Sequence, residues 1–145
     1  MDRKSLLQSR SYVVGIILML LIALAAVAAA APAVLPKPAQ MTYVADTAAM
    51  ISNEDAAKIA EMGRGLDAAT GAQVVVVTIS SLDGASIEEY ATTLFRNWGI
   101  GDAEKNNGVL LLIAKEDRKF RIEVGYGLEG AITDGYAGSV LDDMK

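Results

Sequence analysis

Two strongly apolar runs constrain the fold of this chain more than any other feature. The first, residues 72–79, contains four consecutive valines, and the second covers residues 109–114. β-Branched residues without polar alternation are typical of strands buried on both faces, as in parallel sheets. Between the runs, Ser86 and Glu89 form a capping box that predicts a helix start, and Gly99 predicts its end. Strand, helix and strand in this order predict a βαβ unit with parallel strands.

A third strand and two more helices complete the predicted domain. Residues 120–124 alternate, with apolar side chains on one face and Arg121 and Glu123 on the other. The short charged turn before them predicts an antiparallel hairpin with the preceding strand. Ser52 and Gly71 bracket one further helix, and Thr133-Asp134 begins another. We therefore predict an α/β domain with a mixed, mostly parallel sheet.

The N-terminal segment is apolar enough to enter a membrane. Residues 1–10 carry three basic side chains and one acid, and residues 12–31 carry no charge. About 20 apolar residues can span a bilayer as a helix, and the small residues at 28–31 also suit a signal peptidase. A cleaved signal peptide and an uncleaved anchor both remain open. Either one places the remainder outside the cytoplasm, at the cell membrane or in a secreted or periplasmic form.

The rest of the chain is predicted to form a short linker and one domain. Residues 32–42 contain all three prolines and predict a stiff, extended linker. The domain is then expected to cover residues 43–145, a length that suits a single core. Beyond residue 31 the chain carries 10 basic and 17 acidic residues. This acidity argues against a nucleic-acid partner, because such binding depends on cationic contacts to phosphate.

Composition also limits the chemistry. The chain has no cysteine and no histidine, which excludes thiol chemistry and histidine-dependent triads within it. Any metal must then be held by oxygen atoms, which favours hard cations such as Ca²⁺ or Mg²⁺. No Walker motif is present. The glycines at 125, 127 and 130 follow a hairpin strand and lead into no prompt helix, so no nucleotide cofactor is predicted.

The predicted topology brings two polar loops together. The hairpin reverses the chain, so the loop after Val124 should meet the loop of Asn106 and Asn107 that leads into the strand at Val109. Carboxylates, amides and backbone carbonyls are the ligands that Ca²⁺ uses. The candidate metal ligands are Asp46, Asn107, Glu123, Glu129 and Asp134.

Each candidate also has a simpler structural interpretation. Asp134 can cap the helix that it precedes, and Asp46 can accept hydrogen bonds from turn amides. The two asparagines before Gly108 are common turn residues, and Glu123 can pair with Arg121 or Lys119. These alternatives stay open from the sequence alone.

The motifs of residues 43–145 resemble the TPM domain family. The resemblance rests on Trp98-Gly-Ile-Gly101, on Asn107-Gly-Val-Leu-Leu111 and on Glu123-Val-Gly-Tyr-Gly-Leu-Glu-Gly130. It implies an α/β/α sandwich, export from the cytoplasm, a frequent tie to the membrane, and a divalent metal, often Ca²⁺, near the acidic loops. The family motifs fall on the five candidate ligands and on four residues expected to shape the loops: Gly108, Gly125, Tyr126 and Gly127. Family domains continue through further helices after the one at Asp134, so we expect an incomplete C-terminal part here.

Two functions follow as hypotheses. The first is an extracytoplasmic module that binds a divalent cation and presents a surface to a membrane-protein partner. The second is a metal-dependent phosphatase, as a chloroplast member linked to photosystem II repair has been described, with Arg121 or Lys105 holding phosphate oxygens. No nucleophile, base or phosphate cradle stands out, so the sequence favours the module.

Overall fold

The computed structural model describes residues 32–40 and 42–143, excluding the side chains of Asp134 and Asp143. Within them, four strands form one sheet in the order β1-β2-β3-β4, with β1 to β3 parallel and β4 antiparallel to β3. The prediction of an α/β domain with a mixed, mostly parallel sheet is confirmed. The α/β/α layering implied by the family resemblance stays a prediction. The strands are β1 (Val44–Asp46), β2 (Gln73–Ile79), β3 (Gly108–Ala114) and β4 (Lys119–Val124).

In the described part of the chain three helices accompany the sheet, and capping residues mark the ends of the first two. They are α1 (Asn53–Thr70), α2 (Ile87–Trp98) and α3 (Asp134–Asp143), with a short 3₁₀ turn at Tyr126–Leu128. The hydroxyls of Ser52 and Ser86 each accept a hydrogen bond, at 3.1 Å, from the amide three residues on. The first two helices end at glycines in the left-handed region, Gly71 and Gly99. These predicted boundaries are confirmed.

The main core lies between α2 and one face of the sheet. Val75 and Val77 of β2 and Leu110 and Leu112 of β3 are fully buried there, because alternate residues of adjacent parallel strands share a face. Leu94 of α2 packs among them. Helix α1 contacts β1 and β2, and α3 contacts β4.

The segment predicted as a linker packs against this core. The side chains of Val34 and Leu35 lie on the core cluster. The backbone of Leu35 is held at both ends, since its amide donates to the Tyr90 hydroxyl at 3.2 Å and its carbonyl accepts from the Trp98 indole at 3.0 Å. Residues from Pro32 onward therefore belong to one compact unit, and the predicted domain start at residue 43 stays a prediction. A stiff, proline-rich sequence favours an extended backbone, and this extended segment lies along the domain.

The predicted signal or anchor, residues 1–31, lies outside the described residues and stays a prediction. In the part of the chain that the structure does describe, no helix is long and apolar enough to cross a membrane.

The sheet has two ends with different loops. We call the end at which β1, β2 and β3 finish the carboxyl edge, and the opposite end, where β2 and β3 begin and β4 finishes, the amino edge. The carboxyl edge is marked by Asp46, Ile79 and Ala114, and the amino edge by Gln73, Gly108 and Val124.

Candidate functional site at the amino edge

The two polar loops meet at the amino edge, as the topology predicted. The amide of Gly125 donates to the Gly108 carbonyl at 2.8 Å, and the amide of Gly127 donates to the Asn106 carbonyl at 3.0 Å. The predicted neighbourhood of these loops is confirmed. Backbone bonds join them directly.

The contact between the loops is close enough to require glycine at two positions. A Cβ atom on Gly125 would overlap the carbonyl oxygen of Asn106, and one on Gly127 would overlap the carbonyl oxygen of Lys105. Any side chain would therefore force the loops apart. The close approach fixes the position of the turn between these glycines.

Asn107 holds the amino-edge loop together rather than reaching toward solvent. The residue is buried, its Oδ1 accepts from the Asp102 amide at 2.8 Å, and its Nδ2 donates to the Gly71 carbonyl at 2.9 Å. Asp102 accepts the amides of Glu104 and Lys105 at 2.9 Å, and these bonds hold its pKa below the ordinary value. The Asn107 side chain thus has a structural role in which both of its ends are engaged.

Glu123 has the simpler of its two predicted roles, an ion pair with Arg121. Its carboxylate accepts from Arg121 Nε at 3.0 Å and from the Thr92 hydroxyl at 3.2 Å. Thr92 belongs to α2, so the pair faces that helix and is partly shielded from solvent. The arrangement ties β4 to α2.

The structure corrects the placement of Asp46, which lies at the carboxyl edge. It ends β1, and β1 runs parallel to β2 with Asp46 beside Thr78. Parallel strands finish at the same end of a sheet, so Asp46 cannot share a site with Asn107 at the other end.

Asp46 organises the turn into α1. Its carboxylate accepts the Thr78 hydroxyl, the Met50 amide at 2.9 Å and the Ile51 amide at 2.9 Å. These hydrogen bonds favour the ionised form and lower the pKa of Asp46, the Thr78 bond most strongly. Asp46 therefore accepts hydrogen bonds from turn amides, which was its simpler interpretation.

The remaining predicted residues frame an exposed turn. Tyr126 stands between the two packed glycines, and it is 79% exposed. Glu129 follows on the same turn and is also exposed. Asp134 begins α3, and its side chain lies outside the described residues. The amino edge thus exposes an aromatic ring and a carboxylate on a turn whose backbone is packed against residues 105–108.

The predicted ligands do not come together as one metal centre. Asp46 lies at the far edge, and the side chains of Asn107 and Glu123 are engaged by protein donors and acceptors. Among the side chains that the structure describes, which exclude those of Asp134 and Asp143, no three acidic groups cluster in a way that could hold a metal ion. The full predicted set therefore does not fit a single Ca²⁺ site, and Glu129 and Asp134 are the two candidates left at the amino edge.

Sequence reasoning missed a residue that positions the same loop. Gln73 Oε1 accepts the Gly101 amide at 2.8 Å, and its Nε2 donates to the Asp67 carboxylate at 3.3 Å. The sequence does contain a signal for Gln73, since it is a polar residue directly before the valine run. It lies where β2 begins, and so it can reach the loop that precedes β3.

The comparisons with known proteins agree with this architecture. A family model for the TPM domain matches residues 44–145. The chain belongs to the TPM domain family. Among solved structures, it is similar to the N-terminal domain of a protein from P. gingivalis, with 33% identity and a TM-score of 0.65 over 70% of this chain. The TPM chain spans 65% of the length of that structure.

A more distant structure shares the fold. It is the N-terminal domain of the cg2496 protein from Corynebacterium glutamicum, with 22% identity, a TM-score of 0.55, and coverage of 75% of this chain and 69% of its own. A comparison with curated proteins gives no match. Both structures were solved in solution as N-terminal domains.

Proposed function

We propose that this TPM domain is an interaction module that works outside the cytoplasm and binds a membrane-protein partner through its amino-edge loops. The observation that carries the proposal is the turn of Gly125, Tyr126 and Gly127. Its backbone is packed against residues 105–108, while the tyrosine ring is 79% exposed.

Physical reasons connect this geometry with binding. A tyrosine offers a large contact area with few rotatable bonds, and it is enriched among residues that dominate binding energy. A turn that is already fixed loses little conformational freedom when a partner binds. A large exposed ring contributes nothing to the core of its own domain, so the exposed position favours a role in recognition.

Export and membrane attachment rest on the N-terminal segment. Three basic residues before an uncharged run of 20 residues support insertion with the N-terminus in the cytoplasm. Protease digestion of spheroplasts, in which no outer membrane shields the domain, tests the topology of the full chain, because protease added from outside should remove the domain. Full protection by an intact membrane would contradict export.

We propose that Glu129 and Asp134 bind a divalent cation, Ca²⁺ in preference to Mg²⁺. Glu129 lies on the glycine-rich turn and Asp134 begins α3 five residues later, and backbone carbonyls and water would supply the remaining ligands. Ca²⁺ should then raise the melting temperature, because a ligand of the native state stabilises it. The increase should be lost in Glu129→Gln and kept in Glu61→Gln, a variant in the exposed surface of α1. An equal increase in both variants would contradict a cation at the amino edge.

No specific observation at the amino edge favours the phosphatase alternative. Arg121, one of the two predicted phosphate contacts, is held by Glu123. Lys105 is exposed on the loop before Asn106. Among the residues that the structure describes, no acidic cluster that could hold a metal lies beside Arg121 or Lys105.

The interaction proposal is tested by removing the exposed ring. Tyr126→Ala in the full chain should leave the melting temperature unchanged and abolish recovery of a partner that co-purifies with the native protein from its membranes. Met62→Ala is the matched control, because Met62 is 66% exposed on α1. Retention of the partner by Tyr126→Ala would contradict the proposal.

A further inference from the structure

A cleft of about 410 Å³ opens at the carboxyl edge, at the opposite end of the sheet from the amino-edge loops. Met50, just before α1, forms one wall, and the β3–β4 hairpin forms the other. Apolar and basic residues both line the cleft. Its principal lining residues are Met50, Ile113, Lys115, Arg118, Lys119 and Phe120.

The charge of this cleft is opposite to that of the whole protein. The chain has a net charge of −5 with 13 basic residues, yet three of those residues meet at this cleft and no carboxylate lines it. Within residues 32–40 and 42–143, the ion pairs involve Lys58 and Arg121, and none involves the cations of the cleft. Lys115 also interacts with the Asp46 carboxylate and with the Ala48 carbonyl, so the charges of Arg118 and Lys119 are the ones most available to a ligand.

The nearby acidic groups are directed elsewhere or remain in solvent. Asp117, in the same hairpin turn, accepts the amide of Leu82 at 2.8 Å and so faces the loop after β2. Asp46 is surrounded by its own three donors. Glu116 is exposed at the tip of the turn. An anion in the cleft would meet cations first.

The hairpin that carries the cations is fixed in place. The amides of Lys115 and Glu116 donate to the carbonyls of Ile79 and Ser80, each at 2.9 Å. Lys115 Nζ donates to the Ala48 carbonyl at 3.0 Å, which ties the hairpin to the segment before α1. Both walls of the cleft are therefore joined before any ligand arrives.

We propose that this cleft binds a small amphiphilic anion, with a phosphate or carboxylate head among Lys115, Arg118 and Lys119 and an apolar body on Ile113 and Phe120. The volume lies in the range of small-molecule sites. Open α/β sheets bind ligands beyond the carboxyl ends of their parallel strands. Arginine and lysine side chains give charge-assisted hydrogen bonds to such heads. The proposal is independent of the function assigned to the amino edge.

The test uses isotope-labelled full chain in a neutral maltoside, titrated with 1-naphthyl phosphate. Saturable amide shifts are expected at Met50 and across residues 113–120. 1-Naphthoate in a parallel titration distinguishes a carboxylate head from a phosphate head, since the better ligand will saturate the same residues at lower concentration. Inorganic phosphate and 1-naphthol, which carry one half of the ligand each, should bind much more weakly.

Variants separate the cleft from general charge effects. Arg118→Gln with Lys119→Gln should weaken naphthyl phosphate by about tenfold or more, the size expected for hydrogen bonds to a charged group. Arg64→Gln with Arg96→Gln removes the same charge at exposed positions elsewhere and should leave the affinity unchanged. Met50→Ala should weaken naphthyl phosphate and spare inorganic phosphate. Retained amide dispersion shows that each variant is folded.

Three results would overturn the proposal. The first is an absence of saturable shifts at residues 113–120 with either anion at millimolar concentration. The second is binding of 1-naphthol as tight as that of naphthyl phosphate. The third is an equal loss of affinity in the two double variants, which would indicate a general effect of net charge.

Discussion

Asp46 and Asn107 show how side chains suited to metal binding can serve the fold instead. Both offer oxygen atoms near a strand end. In each, however, the side chain is engaged by backbone groups of its own loop or, for Asn107, also of the loop at Gly71. Buried or half-buried backbone groups need partners, and short polar side chains supply them at turns. Residue type alone therefore could not separate a ligand from a turn-former.

Asp46→Asn should reduce stability near neutral pH. The carboxylate has a lowered pKa in the folded state, so its stabilisation is fully present above the unfolded value of about 3.9. That stabilisation is lost as pH falls below about 3.9 and through the lower folded-state pKa. Urea unfolding at pH 6 should show wild type to be more stable than Asp46→Asn, and the difference should shrink toward pH 3. Asp83→Asn, the same change at an exposed loop position, is the matched control.

Gly127→Ala should destabilise the domain, because its Cβ would meet the Lys105 carbonyl oxygen. A forced shift of packed backbone typically costs about 1–3 kcal/mol. Gly130→Ala is a matched control three residues away, where a Cβ would meet nothing within 4 Å, and its effect should stay within about 0.5 kcal/mol. Equal stabilities of the two variants in urea unfolding would show that the loops are not closely packed.

At the scale of elements, local patterns predicted the strands and helices while pairing decided their positions. The valine run, the capping serines and the closing glycines act over a few residues, and they predicted β2, α1 and α2 well. The location of Asp46 depends on β1 pairing parallel with β2. That pairing joins residues about 30 positions apart, which no local pattern reports.

The packing of residues 34–35 could not be predicted from the sequence for the same reason. Prolines indicate an extended segment, but they do not reveal the partner that it lies against. Here the partners are Tyr90 and Trp98 of α2. In the sequence, these two residues were identified only as part of a helix.

A chain that begins at Thr42 should be less stable than one that begins at Pro32. The loss of two partly buried apolar side chains should cost about 2 kcal/mol. Trp98, the only tryptophan, should also emit at longer wavelength, since its indole loses the Leu35 carbonyl and gains water. Matching stability and emission in the two chains would contradict the packed segment.

For the whole molecule, the two ends of one sheet carry different surfaces. The amino edge displays Tyr126 and Glu129 on locked backbone, while the carboxyl edge gathers three cations around an apolar cleft. The sequence predicted the meeting of the amino-edge loops, because a hairpin must return to the end from which its first strand started. It did not predict the basic cleft, because Met50 and the hairpin are more than 60 residues apart.

The most direct test of the interaction module is photocrosslinking in living cells. A photoreactive phenylalanine analogue replaces Tyr126 in the full chain, and the same analogue replaces Met62 in the control. We expect one discrete adduct from position 126, of the same mass in repeated experiments, and none from position 62. Identical adduct patterns from both positions, or no adduct from position 126, would contradict a binding surface at the amino edge.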